Sequence, residues 1–520
     1  MNTKMIFANA KKYCDKSFDK TELVDIYTEQ GRIVSVKPHD KKKLAGDGAT
    51  DLGGRFVLSG FIDSHLHFPG CTLYELFGVN LANLDSTEEY KQELDKKSNS
   101  SGLIRGCGWK QTAFSGEESY RAFKAYLDDT FKSIPIALFS SDYHACLCNQ
   151  AFLDSVADIM VDNGDTLSDG LLTEENVFQI MDFCPNIHFT DGEIEQSIIA
   201  HQDFLLSRGI TAVQGLMFLG AQNHHEIGIF HRLDTQGRLK MHYNLAITAQ
   251  PNDTPEAVYK ELLAAQRFNS SRLKVSSVKI YIDGVVENET AFLLYPYENS
   301  AESGELIWNE QELSNFCKYF QTMGVQLHIH AIGDGAVRRI ADVLKQILKD
   351  DTANSNRHVI THLQLSAERD LDILAKHNIL CTVQPFWFPI DGEHHAFDQD
   401  KIGNRAFDEY RAKSLFDKGI HTSFSSDSPV TPDPNPLLGV SMAMRHSNNR
   451  EQVQYAEAMR AFLTNGAYQL GREQEIGRLD VGCMADFCVY DCDISAMSPI
   501  ALSSATPSKV FFNGECVFCT

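Results

Sequence analysis

The chain has 520 residues, of which 43% are hydrophobic and 22% charged; this is ordinary globular composition and excludes a disordered chain, a collagen-like fibre and a coiled-coil rod. Its 47 basic and 70 acidic residues give a formal net charge of −23. Because such an acidic surface repels phosphate backbones and anionic lipids, we expect neither nucleic acid nor a membrane as a partner.

The lack of a recognisable targeting signal and the pattern of cysteines predict a cytoplasmic protein. No stretch reaches about 18 consecutive apolar residues, and the N-terminus has no apolar signal core with a cleavage site. The 13 cysteines are scattered, and the C-x-x-C formed by Cys516 and Cys519 has no second half that would complete a metal site. We therefore expect reduced thiols in a cytoplasmic protein. A homodimer is possible.

Both ends of the chain have the pattern of short β-strands joined by turns. The N-terminal region, residues 1–57, has a turn at Gln30-Gly31, and the C-terminal region, residues 468–520, has one at Asn513-Gly514. Because the two β-rich ends flank a long middle, we predict that they meet and form one small β-sandwich domain.

The middle, residues 58–467, alternates short apolar runs with helical patterns, which is typical of βα units. Eight runs qualify as buried strands, and eight βα units predict an α/β fold with a closed parallel (β/α)₈ barrel. The predicted strands are residues 55–63, 209–216, 240–248, 275–283, 325–332, 358–364, 379–385 and 420–426.

The connection between the first and second predicted strands is far longer than a βα loop requires. It contains helical patterns and one further apolar run, residues 134–144. We predict an insertion over residues 70–198, which leaves from the catalytic face of the barrel.

Polar side chains cluster where the predicted strands end. The C-terminal ends of barrel strands converge on one mouth, and histidines with a carboxylate there suit a divalent ion such as zinc with an open water position. The candidates are His65 and His67 after the first strand, Lys279 on the fourth and Asp283 at its end, His328 and His330 at the end of the fifth, His362 at the end of the sixth and Asp427 after the eighth.

Each candidate also has a structural interpretation when it is taken alone. An H-x-H pair can be packed in a sheet, the stem of Lys279 can pack while its amine reaches water, and Asp427 can cap a turn. Their joint position at matching strand ends favours a metal site over these separate explanations.

The sequence resembles the amidohydrolase superfamily, and within it amidohydrolase family 3, the branch of YtcJ-like and N-substituted formamide deformylase-like hydrolases. The resemblance runs from about residue 4 to residue 515 with the motifs in order. In the barrel they are GFIDSHLHF (60–68), KIYIDG (279–284), HIHAIGDGA (328–336), THLQ (361–364) and SSDSPVTPDPNPLLGV (425–440), followed by GRLDVGCMADFCVYD (477–491). In the insertion they are RGCGW (105–109), SDYHACLCNQAF (141–152) and DGLLTEENVF (169–178).

The resemblance implies a metal-binding barrel with one or two ions. By residue, it implies that His65 and His67 hold one ion, and that a carbamate formed on Lys279 by CO₂ bridges to a second ion held by His330 and His362. It further implies that Asp427 touches the first ion and moves the proton. His330 is preferred over His328 as ligand, and His328 would orient a ligand or the substrate. The family usually has a small residue in place of Ser426 and often Asp in place of Lys110; neither difference removes a ligand.

The expected activity is hydrolysis of a non-peptide carbon–nitrogen bond of a small molecule, by attack of metal-activated hydroxide with Asp427 as general base and then acid. A linear amide or N-substituted formamide is the expected substrate class. A cyclic amide or a deaminated ring is an alternative on the same scaffold, and a catalytically silent barrel with a binding or regulatory role is an alternative of another class.

Substrate contacts are expected from four further residues: Trp109 and His144 in the insertion, and His328 and Asp283 at strand ends. A long excursion from the catalytic face can cover the mouth, where Trp109 would offer an apolar plane and His144 a hydrogen-bonding tip. The structural alternative is that Trp109 fills the core of the insertion and His144 caps a turn.

Overall fold

The computed structural model describes residues 4–14, 18–40, 49–70, 72–97, 102–141, 145–158, 169–173, 175–184, 187–217, 223–298, 300–351, 353–390 and 398–520. Within these ranges the strands form three sheets: one from the two ends of the chain, one in the insertion and one in the barrel. Elements are numbered in chain order.

Strands from both ends of the chain form one sheet of eight strands among the described residues, in the order β21-β20-β19-β5-β1-β2-β3 with β4 paired to β1. The two ends join where β5 and β19 pair in antiparallel orientation, with Val57 opposite Val489. A two-layered sandwich and the exact domain boundaries stay predictions. The strands are β1 (Lys4–Tyr13), β2 (Thr21–Glu29), β3 (Arg32–Pro38), β4 (Thr50–Asp51), β5 (Phe56–Ser59), β19 (Phe487–Tyr490), β20 (Lys509–Phe512) and β21 (Glu515–Cys519).

Aromatic packing ties the two halves of this terminal sheet together. The rings of Phe487 and Phe511 stack with centroids 4.6 Å apart, and Phe7 packs edge-on against both at 4.9 and 5.0 Å. All three side chains are buried, so residues from both ends share one apolar core.

The insertion contains its own mixed sheet, with five strands in the described residues in the order β11-β10-β9-β8-β7. The sequence indicated only the central strand of this sheet; the two outermost strands have two and three residues and give no periodic signal. Its elements are α1 (Thr72–Phe77), β7 (Val79–Asn80), α2 (Thr87–Asp95), β8 (Ile104–Trp109), α3 (Glu117–Phe131), β9 (Ile136–Ser140), β10 (Ala145–Cys148), α4 (Gln150–Val156), β11 (Leu171–Thr173) and α5 (Glu175–Phe183).

The barrel sheet has eight strands in the described part of the chain, and each pairs in parallel with its neighbour from β6 through β12 to β18. This confirms the predicted α/β class with a parallel barrel. The strands are β6 (Phe61–Phe68), β12 (Ile210–Met217), β13 (His242–Thr248), β14 (Leu273–Tyr281), β15 (Gln326–Ala331), β16 (Val359–His362), β17 (Leu380–Val383) and β18 (Thr422–Phe424).

Helices follow the barrel strands, and their apolar faces explain their position. In α10, Val337, Ile340, Ala341 and Leu344 recur at helical spacing and are all buried. In the described residues no helix is long and apolar enough to cross a membrane. The helices are α6 (Asp191–Ser207), α7 (Asn223–Thr235), α8 (Pro255–Ala265), α9 (Glu310–Met323), α10 (Asp334–Ile347), α11 (Glu368–Lys376), α12 (Ala412–Asp417), α13 (Pro436–Met444), α14 (Tyr455–Phe462), α15 (Thr464–Gln469) and α16 (Pro499–Leu502).

The first barrel strand differs from the prediction. The apolar run over residues 55–63 is divided at Gly60: β5 belongs to the terminal sheet, and β6 begins at Phe61. A Cβ at Gly60 would collide with the side chain of Thr211, so glycine permits the close approach of the chain to β12 at this passage. His65 and His67 therefore lie within the strand and do not follow it.

The barrel is closed between its last and first strands by hydrogen bonds from loop and side-chain groups. The Asp427 amide donates to the His65 carbonyl at 2.9 Å, and the His67 amide donates to the Ser428 carbonyl at 2.8 Å. Gln469 on α15 accepts hydrogen bonds from the hydroxyls of Thr382 and Ser423 and donates to the Ser64 carbonyl. These bonds attach β18 and the segment after it to β6.

Glu226 makes the stability of the protein depend on pH. The side chain is buried in the first turn of α7, and the described residues provide no hydrogen-bond partner for Oε2. Burial raises the pKa of Glu226 from 4.5 to about 8. The unfolded chain releases this proton near the ordinary value while the folded chain retains it, so this group lowers stability as pH rises from about 4.5 to 8.

Glu226→Gln removes this titration while keeping the shape of the side chain. The unfolding free energy of the variant relative to wild type should rise by several kcal/mol across that interval, at about 1.4 kcal/mol per pH unit. Chemical denaturation of both proteins at each pH measures the difference. A difference that stays constant with pH would contradict the buried, unpaired carboxyl.

Candidate active site

His65 and His67 lie two residues apart on β6, so both side chains leave the same face of the strand and enter the barrel. Their Nε2 atoms lie 3.1 and 3.2 Å from Oδ1 of Asp427. Burial and the nearby Lys279 lower the pKa of His65 to about 3, so this ring is neutral and can offer a lone pair.

Asp427 is held in place by its backbone and by its neighbour Ser426. Its φ of 56° lies in the left-handed region that non-glycine residues rarely adopt, and such strain is typical of functional sites. The Ser426 amide donates to both carboxylate oxygens of Asp63, at 3.1 and 3.2 Å. Burial acts to raise the pKa of Asp427, but the adjacent His65 and His67 outweigh it and hold this pKa well below its usual range.

His330 and His362 complete a cluster around the Asp427 carboxylate. Nδ1 of His362 lies 3.9 Å from Oδ2 of Asp427, and the rings of His330 and His362 are 4.5 Å apart. One candidate ligand atom each from His65, His362 and Asp427 lie within 4.8 Å of one another. We call His65, His67, His330, His362 and Asp427 the histidine–aspartate cluster.

Hydrogen bonds outside the cluster fix which ring nitrogen carries the proton. Nε2 of His330 lies 3.2 Å from the Gly284 carbonyl, which can only accept. Nδ1 of His362 lies 3.1 Å from Oε1 of Gln384, whose amide nitrogen donates to Ser425. The lone pair is therefore on Nδ1 of His330 and on Nε2 of His362. Outer hydrogen-bond partners around a metal site usually select the ligand nitrogen in this way.

His328 lies behind His65. Its Nε2 is 2.6 Å from Nδ1 of His65, and its side chain is completely buried. The ligand-orienting role of His328 stays a prediction; a direct substrate contact would require the buried ring to become accessible.

Lys279 is completely buried, and the described residues offer its Nζ no hydrogen-bond partner. Burial lowers the pKa of Lys279 to about 7, although the nearby Asp427 acts in the opposite direction. A substantial neutral fraction of the amine therefore exists at neutral pH, which is the form that reacts with CO₂.

Asp283 has a different environment from the one predicted. Its carboxylate accepts hydrogen bonds from the amides of Phe292, Ile332 and Gly333, at 2.9 to 3.0 Å. Because these bonds occupy the buried carboxylate and join the loops after β14 and β15, Asp283 holds the rim of the barrel together. A substrate contact by Asp283 stays a prediction.

Trp109 has the surroundings that the structural alternative expects, and its substrate contact stays a prediction. Its side chain is completely buried, its indole N–H donates to the Leu138 carbonyl at 2.8 Å, and its ring packs edge-on against Phe114 and Tyr120. These partners all belong to the insertion, so Trp109 fills the core of that unit. His144 lies outside the described residues.

Trp109→Ala should destabilise the protein by about 3–5 kcal/mol, because a large buried ring is removed and a cavity remains. Activity per folded molecule should stay near wild type. Thermal melts combined with kcat/KM measured below the transition test this, with Trp109→Phe as the milder matched variant. Normal stability with a selective loss of activity would support the substrate-binding interpretation instead.

Two aromatic side chains at the cluster were missed by the sequence analysis. Trp387 lies parallel to the His362 ring, with centroids 5.7 Å apart, and donates to Thr431 at 3.1 Å. Tyr281 ends β14, two residues beyond Lys279, and its ring lies 5.3 Å from that of His330. The signal was present, because both residues stand at or just after the ends of predicted barrel strands.

The donor set of the cluster fits a divalent ion. His65 Nε2 and Asp427 Oδ1 are buried 3.1 Å apart, and neither has a hydrogen-bond partner among the described residues. Ligands at about 2.0–2.2 Å from one ion lie roughly 3.0–3.5 Å apart, so a shared ion accounts for two buried polar atoms that would otherwise be costly.

Known proteins are similar to this chain over nearly its whole length. The model of the amidohydrolase family matches residues 48–518. The chain is 24% identical to the putative amidohydrolase YtcJ of Bacillus subtilis (strain 168), over 96% of each protein. It is 19% identical to the N-substituted formamide deformylase of Arthrobacter pascens, over 85% of this chain and 84% of that protein.

A solved structure shows the same fold. An uncharacterized metal-dependent hydrolase from Pyrococcus horikoshii OT3 superposes with a TM-score of 0.75 at 22% identity, covering 96% of this chain and 99% of that one. Together with the family match over most of the sequence, this identifies the chain as a member of the amidohydrolase family, metal-dependent hydrolases that act on carbon–nitrogen bonds.

Proposed function

We propose that this protein hydrolyses a linear amide or an N-substituted formamide with the help of a zinc ion bound by the histidine–aspartate cluster. The observation that carries the proposal is the approach of His65 and His67 to Asp427, with His362 on the other side of the same carboxylate. Similarity to the N-substituted formamide deformylase of Arthrobacter pascens supports a formamide as substrate.

Each residue of the cluster has a proposed role. His65, His67 and Asp427 would hold one ion, and His330 and His362 would hold a second, each through the ring nitrogen that does not make the outer hydrogen bond. A bound divalent ion lowers the pKa of its water towards neutrality and polarises the carbonyl. Asp427, whose low pKa keeps it ionised, would accept the proton of the attacking water and pass it to the leaving nitrogen.

In this proposal Lys279, as its carbamate, would supply further ligand oxygens to the ions. Its neutral amine attacks CO₂, the new N–C bond forms, and one proton leaves to solvent, giving a carbamate with two oxygens. The low pKa and the unpaired Nζ support this reaction, because an ammonium ion would be inert and a hydrogen-bonded amine would be engaged elsewhere.

Metal analysis and turnover on a small panel test the function. The panel contains formanilide, acetanilide, a cyclic amide such as hydantoin, and adenine. We expect one to two equivalents of zinc per chain, turnover of formanilide or acetanilide, loss of activity with chelator and recovery on adding zinc.

Other outcomes would change the assignment. If only the cyclic amide or only the ring amine were hydrolysed, the protein would still be a hydrolase, but its substrate class would be a different one. Full activity in metal-free protein would contradict the metal site. Stoichiometric metal with no turnover of any panel member would contradict the proposed substrate class and favour a silent barrel.

A further inference from the structure

Tyr281 is positioned next to the histidine–aspartate cluster by the register of the barrel. On β14, Lys279 and Tyr281 are two residues apart and face the same side, and they pair with His328 and His330 of β15. Tyr281 therefore stands one layer nearer the mouth than the buried lysine. Its ring covers Lys279, with Nζ 4.6 Å from the ring centroid.

The hydroxyl of Tyr281 has no role inside the protein that the structure shows. Among the described residues it has no hydrogen-bond partner, and Tyr281 contacts His330 and Lys279 through its ring. The side chain is only partly buried, while Lys279, His65 and His328 beneath the mouth are completely buried. The phenol is thus a donor at the place where a bound substrate would meet the cluster.

The chemistry of the side chain also suits this place, because a phenol hydroxyl is a neutral hydrogen-bond donor at neutral pH.

We propose that the Tyr281 hydroxyl donates a hydrogen bond to the carbonyl oxygen of the scissile amide and stabilises the negative charge that develops there. The proposal rests on the amide-hydrolase function above and adds an oxyanion donor from this chain to it. A preorganised donor of this kind acts mainly in the transition state, so its loss lowers kcat more than it changes KM.

Tyr281→Phe tests the hydroxyl while keeping the ring over Lys279. With formanilide and acetanilide as substrates, kcat should fall by about 10²-fold or more, with KM within roughly threefold of wild type. Zinc content and melting temperature should be unchanged. The matched control is Tyr319→Phe on α9, which removes a tyrosine hydroxyl remote from the cluster and should behave as wild type.

A binding measurement supplies a readout that does not depend on turnover. N-phenyl methylphosphonamidate resembles the tetrahedral state of acetanilide hydrolysis, and its affinity for zinc-loaded Tyr281→Phe should weaken by the same factor as kcat/KM. Equal kcat and equal inhibitor affinity in wild type and variant would overturn the role of Tyr281 while leaving the hydrolase intact. No turnover of any panel amide by wild type would overturn the function itself, and the oxyanion role with it.

Discussion

Asp427→Asn should lower kcat/KM by about 10³-fold or more on whichever amide the wild-type protein hydrolyses. The asparagine has nearly the same shape but cannot accept the proton of the attacking water, and it is a weaker ligand for the ion near His65 and His67. Steady-state kinetics with zinc-saturated protein measures the loss, and zinc titration separates weaker metal binding from slower chemistry.

Asp433→Asn is the matched control, because Asp433 lies in the same loop but forms an exposed ion pair with Arg208, 2.6 Å away. Surface pairs contribute little, so this variant should retain wild-type activity. If Asp427→Asn saturated with zinc retained wild-type kcat, Asp427 would not be the proton acceptor.

Lys279→Met should reduce bound zinc from two equivalents to one and lower kcat/KM by about 10²-fold or more. Methionine fills the space of a completely buried stem and removes an unpaired amine, so the variant should be at least as stable as wild type. Elemental analysis gives the metal content. Wild type grown with ¹³C-bicarbonate should show a carbamate carbon resonance that the variant lacks.

Lys274→Met provides the comparison on the same strand, since Lys274 is only partly buried and pairs with Glu475. It should keep both zinc ions and the carbamate signal. If Lys279→Met bound as much zinc as wild type, Lys279 would not be part of the metal site, and its burial would have no chemical role.

The barrel could be predicted because parallel strands covered on both faces are continuous apolar segments. The prediction placed the first strand wrongly for the same reason: β6 continues through Asp63, His65 and His67, which are polar because they face the catalytic interior, so the apolar run ended too early. The outer strands of the insertion, such as β7 with two residues, are set by tertiary pairing with β8 and have no local signal.

The cluster itself could be predicted from two rules. Residues two apart on a strand face the same side, and the C-terminal ends of barrel strands meet at one mouth, so the histidines at these positions lie close together. The contacts of Asp283 and Trp109 could not be predicted. An aspartate that accepts hydrogen bonds from three backbone amides, or a tryptophan that fills a small core, is the same residue type as one that contacts substrate. Residue type and strand position indicate that a group is near the mouth, but only the fold shows what occupies its hydrogen bonds.

The pairing of β5 with β19 has a consequence for synthesis on the ribosome. Val57 and Val489 are neighbours in the sheet although more than 400 residues separate them in the chain. The N-terminal strands emerge first and expose an unpaired edge next to β5 until nearly the whole protein has been translated. A nascent chain therefore carries an incomplete sheet throughout elongation, and this edge is where chaperone binding or aggregation during translation should concentrate.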